Sequence, residues 1–93
     1  MNPKQFKVVR NPDEVGEWIL EFQEREVGHI VVEKDDSTSA RIVLGYWVTI
    51  DADSTECFID TDGGSTAPRL AFRNAKEFAF EHLAKLLAEG VEL

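Results

Sequence analysis

The sequence predicts an α+β fold: an antiparallel sheet of three or four strands with two helices packed on one face, in a single domain spanning residues 1–93. Three observations carry this expectation. Ile42, Leu44, Tyr46, Val48 and Ile50 alternate with other residues at the period of a half-buried strand. Leu86, Ala79, Leu83, Leu87 and Phe80 fall on one arc at 100° per residue, as on a helix that covers a sheet. Asn11-Pro12-Asp13-Glu14 combines a capping side chain, proline at the first helical position and early acids.

Taken in order, Phe6 to Val9 reads as a short strand. From Asn11, the spacing of Val15, Trp18, Ile19 and Phe22 predicts a helix, which Leu20 does not fit. A rival reading makes residues 17–23 a strand, with Trp18, Leu20 and Phe22 alternating and Ile19 the misfit. The cap and the many Glu and Gln residues favour the helix. Gly28 ends that element, His29 to Glu33 is a strand, and Lys34-Asp35-Asp36-Ser37-Thr38-Ser39 is a loop.

Residues 41–50 and 55–60 form a hairpin across the turn Asp51-Ala52-Asp53-Ser54. Closing that turn pairs Ile50 with Thr55, Val48 with Cys57, Tyr46 with Ile59 and Trp47 with Phe58, the last pair on the outer face. Pairing Glu33 with Arg41 sets Val32 beside Ile42, Ile30 beside Leu44 and Val31 beside Val43. Asp62-Gly63-Gly64-Ser65 is a flexible connection, and Arg69 to Phe72 reads as a short strand. Asn74 and Glu77 resemble a capping box for a helix over residues 75–89, which Gly90 stops.

Net charge is −8 and unevenly spread: residues 1–10 carry Lys4, Lys7 and Arg10, whereas residues 11–66 carry fourteen acids against Arg25, Lys34 and Arg41. Such a middle repels phosphate backbones and anionic membranes, which argues against direct nucleic-acid or membrane binding. No apolar run approaches the roughly 20 residues that a membrane helix needs. One cysteine and no secretion signal imply a reduced, cytoplasmic setting.

The motifs for chemistry are sparse. Asp60-Thr61-Asp62-Gly63 fails the calcium-loop pattern, with Ala71 at the twelfth position in place of Glu. Cys57, His29 and His82 have no zinc spacing, and Cys57 falls in the buried row. The expectation is therefore no catalytic residue, no metal, no cofactor and no enzyme activity.

Two surfaces invite a partner. Glu14, Glu17, Glu21 and Glu24 align on one side of the expected helix, at a cost of a few tenths of a kcal/mol per like-charged pair. Their bland explanation is a solvated face. The outer sheet face presents Val31, Val43, Trp47 and Phe58, rimmed by Glu33, Arg41, Glu56 and Asp60, the composition of a binding patch.

The leading functional expectation is a small acidic module that binds a protein with a basic surface. Its specific form is an inhibitor or nucleic-acid mimic of the sort mobile elements use against host enzymes. A homodimer through the outer face is a further option. The element order helix, three strands, helix resembles that of double-stranded-RNA-binding domains, with Ala75-Lys76 at the place of part of their basic cluster. That resemblance implies a nucleic-acid binder using Lys4, Lys7, Arg10, Arg73 and Lys76, although the rest of the cluster is missing. A small metal-dependent hydrolase built on Asp51 and Asp53 is the third reading.

Overall fold

Each strand pairs with its neighbours in the sequence, giving an up-and-down antiparallel sheet in the order β1-β2-β3-β4-β5. The computed structural model describes residues 6–35, 42–61 and 67–93. The strands are β1 (Phe6–Arg10), β2 (Glu17–Phe22), β3 (Arg25–Asp35), β4 (Ile42–Ile50) and β5 (Thr55–Asp60), and a single helix, α1 (Ala67–Ala88), follows them. Among the described residues, five strands and one helix replace the expected three or four strands and two helices. The order shared with double-stranded-RNA-binding domains disappears with the first helix.

That helix is absent because its start signal closes a turn. The Asn11 side-chain oxygen accepts a hydrogen bond from the Asp13 N–H at 2.9 Å, an Asx turn that competes with helix capping. Gly16 then takes φ +84°, and the chain enters β2. Trp18, Leu20 and Phe22 point inward, with Leu20 and Phe22 buried. Burial on the sheet overrides the helical preference of the surrounding Glu residues.

β2 and β3 join through a turn with no glycine, asparagine or aspartate to announce it. Phe22 pairs with Arg25, and the two residues between, Gln23 and Glu24, have φ of 52° and 65°. Left-handed backbone at both central positions is the type I′ hairpin geometry. Side chains other than Gly, Asn or Asp occupy it at a cost of about 1–2 kcal/mol per residue. Gly28 ends nothing: it lies inside β3 between Leu20 and Ile50.

The β4–β5 hairpin has the expected register, with Trp47 opposite Phe58, Val48 opposite Cys57 and Ile50 opposite Thr55. The β3–β4 register does not. Ile30 faces Val48, Val32 faces Tyr46 and Val31 faces Trp47, four residues from the expected pairing. Because four is even, the inner and outer rows keep their sides. A bulge then lets Lys34 pair with Val43 while Glu33 pairs with Gly45, leaving Leu44 unmatched. Beyond it Ile42 and Leu44 are exposed and Val43 packs on the core, the reverse of the expected alternation. Arg41 and the connection at residues 62–66 lie outside the described residues.

α1 takes in residues 69–72, expected as a strand, and runs through Asn74, expected as a cap. Its buried stripe is Ala71, Ala75, Ala79, Leu83 and Leu86, spaced as a helix face requires. Alanine at three of these positions lets the helix axis approach the sheet. Larger rings close the edges: Phe72 packs 4.6 Å from Trp18 and 5.2 Å from Tyr46, and Phe80 lies 5.9 Å from Phe6. The helix ends as expected. The Val91 N–H donates to Leu86 C=O and the Gly90 N–H to Leu87 C=O, with Gly90 at φ +85°. This is a Schellman stop, for which glycine avoids the left-handed penalty.

Candidate functional site

Among the described residues, α1 covers one side of the sheet and no helix covers the other. Register fixes what that outer face presents. One row runs from Glu17 to Val31 to Trp47 to Phe58; the adjacent row runs from Val9 to Ile19 to His29 to Thr49. Trp47 and Phe58 rings meet at 4.9 Å, and the Trp47 indole N–H donates to Glu33 at 3.3 Å. Phe58 lies close over Gly45, where an added Cβ would stand 2.5 Å from the ring and 2.4 Å from the Ile59 carbonyl. Glycine there is what lets the aromatic ring settle onto the backbone. Trp47 remains 41% exposed and Val9 36%, a large share for residues of this size on a strand face. Glu17, Glu21, Glu33, Glu56 and Asp60 border the patch, opposed by Lys7 across from Glu21.

The expected contact residues are redistributed by this geometry. Val31, Trp47 and Phe58 come together on the outer face. Val43, expected beside them, is turned inward by the bulge. The helical stripe of Glu14, Glu17, Glu21 and Glu24 does not exist, since its helix does not. Glu17 and Glu21 instead share the outer face, about 13 Å apart at strand rise. Glu14 sits in the exposed loop before β2, and Glu24 at the tip of the β2–β3 turn. Val9 and Ile19 are additions that the helical reading hid. The signal for them was Ile19 itself, the apolar residue that breaks the alternation of β2.

The inner face carries a second feature. At the end of the sheet near residues 11–16, a cleft of about 420 Å³ opens between the strands and that loop. Trp18, Val32, Val43 and Tyr46 form its apolar part, with Arg10 and Lys34 beside them. Tyr46 is 7% exposed, and burial pushes its phenol pKa up, which keeps the hydroxyl protonated.

His82 reaches from α1 to the β4–β5 turn. Its Nε2 lies 2.7 Å from Asp53 Oδ2 and 3.1 Å from Thr55 Oγ1, while Phe78 stacks on the ring at 5.8 Å. Both partners use the same ring nitrogen. A nucleophile–base–acid relay needs opposite nitrogens, so this cluster is a clamp on the turn. Asp53 is thereby engaged within the protein, away from the hydrolase role considered for it with Asp51. Among the described residues no group of three or more His, Cys, Asp or Glu side chains is placed to hold a metal ion. Cys57 faces inward as expected but is only half-buried, because β5 is an edge strand.

The clamp sets an acid sensitivity. Hydrogen bonding from Thr55, then from His82, holds the Asp53 carboxyl below the usual carboxylate range. A carboxyl depressed in the folded state contributes stability above its unfolded pKa and loses it as pH falls through the folded value. The wild type is therefore expected to lose thermal stability more steeply than Asp53→Asn below about pH 4. Melting curves across pH 2–6, followed by far-ultraviolet circular dichroism, check this; parallel curves would exclude the clamp as a titrating element.

No family model, curated protein or solved structure matches the chain. Among the described residues, no helix is long and apolar enough to cross a membrane.

Proposed function

We propose that the chain is a small protein-binding module whose outer sheet face docks on a partner that surrounds an apolar surface with basic residues. The supporting observation is the continuous row Val31–Trp47–Phe58, bordered by Val9 and Ile19 and ringed by carboxylates. An apolar centre with aromatic anchors and a charged rim is the anatomy of a protein interface. Its charge selects the partner. Two copies meeting through this face would bring Glu17, Glu33, Glu56 and Asp60 against their counterparts, at a cost that a basic partner turns into attraction. The module works by occupancy rather than by catalysis, in a reducing cell interior. Inhibition of a nucleic-acid enzyme is one form of such occupancy, but it has lost the aligned helical stripe that first suggested it.

A photo-crosslinking residue at Thr49, in the middle of the outer face, tests this in the native host. The expected product is one discrete foreign protein, absent when the crosslinker sits at Asn74 on α1 and reduced when Glu17 and Glu33 become Lys. Crosslinks from Thr49 to a second copy alone, or no crosslink, would overturn the reading.

A further inference from the structure

The cleft on the inner face lies on the opposite side of the sheet from the docking patch. It runs against the charge of the molecule. The chain carries −8, yet among the described residues the side chains lining the cleft include Arg10 and Lys34 and no carboxylate. Neither cation enters an ion pair among the described residues, where the side-chain pairs are Arg73 with Glu77 and His82 with Asp53. The Tyr46 ring is buried, but its hydroxyl, which makes no hydrogen bond to any described residue, is not a buried orphan and so is open to solvent. Around these polar groups stand the Trp18 ring and the side chains of Val32 and Val43. Phe72 of α1 braces Trp18 and Tyr46 from behind, so the apolar wall is backed by packed side chains.

We propose that this cleft binds a small organic anion: a flat apolar body lying against Trp18 and Val43, with a carboxylate or phosphate group held between Arg10 and Lys34. The volume, about 420 Å³, falls within the range of small-ligand sites, which pair apolar walls with a few directed polar groups. Arginine provides a forked donor for a carboxylate or phosphate and lysine a second point charge. The accessible Tyr46 hydroxyl supplies a neutral donor that needs no charge of its own. A cleft of this lining rejects a cation of the same shape through Arg10 and Lys34, and a neutral analogue leaves both without a counter-charge.

The test is a ¹H–¹⁵N NMR titration of the full chain with trans-cinnamate and phenyl phosphate, each compared with the neutral isostere trans-cinnamamide. Either acid is expected to move the amides of Arg10, Val32 and Val43 and the Trp18 indole N–H, while the Trp47 indole N–H on the outer face stays in place. Cinnamamide is expected to bind at least about tenfold more weakly than cinnamate, as the loss of one charge-assisted contact implies. Arg10→Gln and Lys34→Gln, both at exposed positions, should each weaken the acids about tenfold with unchanged melting temperature. Binding of one acid and not the other assigns the site to carboxylates or to phosphates. Equal binding of acid and amide, shifts that centre on Trp47, or no shift with either acid up to its solubility limit would overturn the proposal.

Discussion

Trp47→Ala is expected to weaken partner binding by at least about 2 kcal/mol, some 30-fold, because an exposed tryptophan at the centre of a patch is where interface energy concentrates. The same substitution should cost the fold less than about 1 kcal/mol, the scale of one cross-strand aromatic pair. The indole is 41% exposed and its contacts are Phe58 at 4.9 Å and the bond to Glu33, so little of the core depends on it. Binding and stability therefore separate at this residue. Titration calorimetry with the crosslinked partner and urea unfolding of the free protein read the two quantities independently. A variant that unfolds by several kcal/mol would make Trp47 a core residue, and one that binds normally would remove the outer face from consideration.

Leu83→Ala is expected to have the opposite profile. Leu83 is fully buried in the middle of the α1 stripe, where its neighbours on that face, Ala79 and Leu86, are fixed by the sheet beneath. Truncation removes apolar contact and leaves a cavity that the helix cannot close without lifting, a cost of about 2–5 kcal/mol. Against a total stability of about 5–15 kcal/mol for a domain of this kind, that is a large fraction. Urea unfolding should show a lower midpoint with an unchanged slope. Leu70, half-exposed near the start of the same helix, serves as the control, with an expected loss within about 0.5 kcal/mol.

What could be read from the residues was whatever local chemistry specified. The β4–β5 hairpin announced itself through alternation and a polar four-residue turn, and its register came out residue for residue, Trp47 against Phe58 included. The helix stop at Gly90 was equally explicit. The β2–β3 hairpin was hidden because Gln23 and Glu24 occupy left-handed backbone that sequence rules assign to other residues. A helix through residues 17–22 makes Ile19 core and aligns the four glutamates as a stripe.

The outer patch is insensitive to the β3–β4 register because faces depend on parity. A four-residue slip between β3 and β4 left Val31, Trp47 and Phe58 on one side. It failed only at Val43, where the bulge changes parity by one. The cleft was out of reach from the start. Arg10, Trp18, Lys34 and Tyr46 come from four strands, and nothing in their spacing brings them together before the sheet is ordered.

The up-and-down strand order bears on how the chain reaches this state. Every sheet partnership joins segments adjacent along the chain, so each zipping step closes a short loop and sacrifices little chain freedom. Among the ring contacts, the widest closure is the one that seats Phe80 of α1 beside Phe6 of β1. The helix thereby ties the last element of the chain to the first, which among these ring contacts carries the highest chain-closure cost.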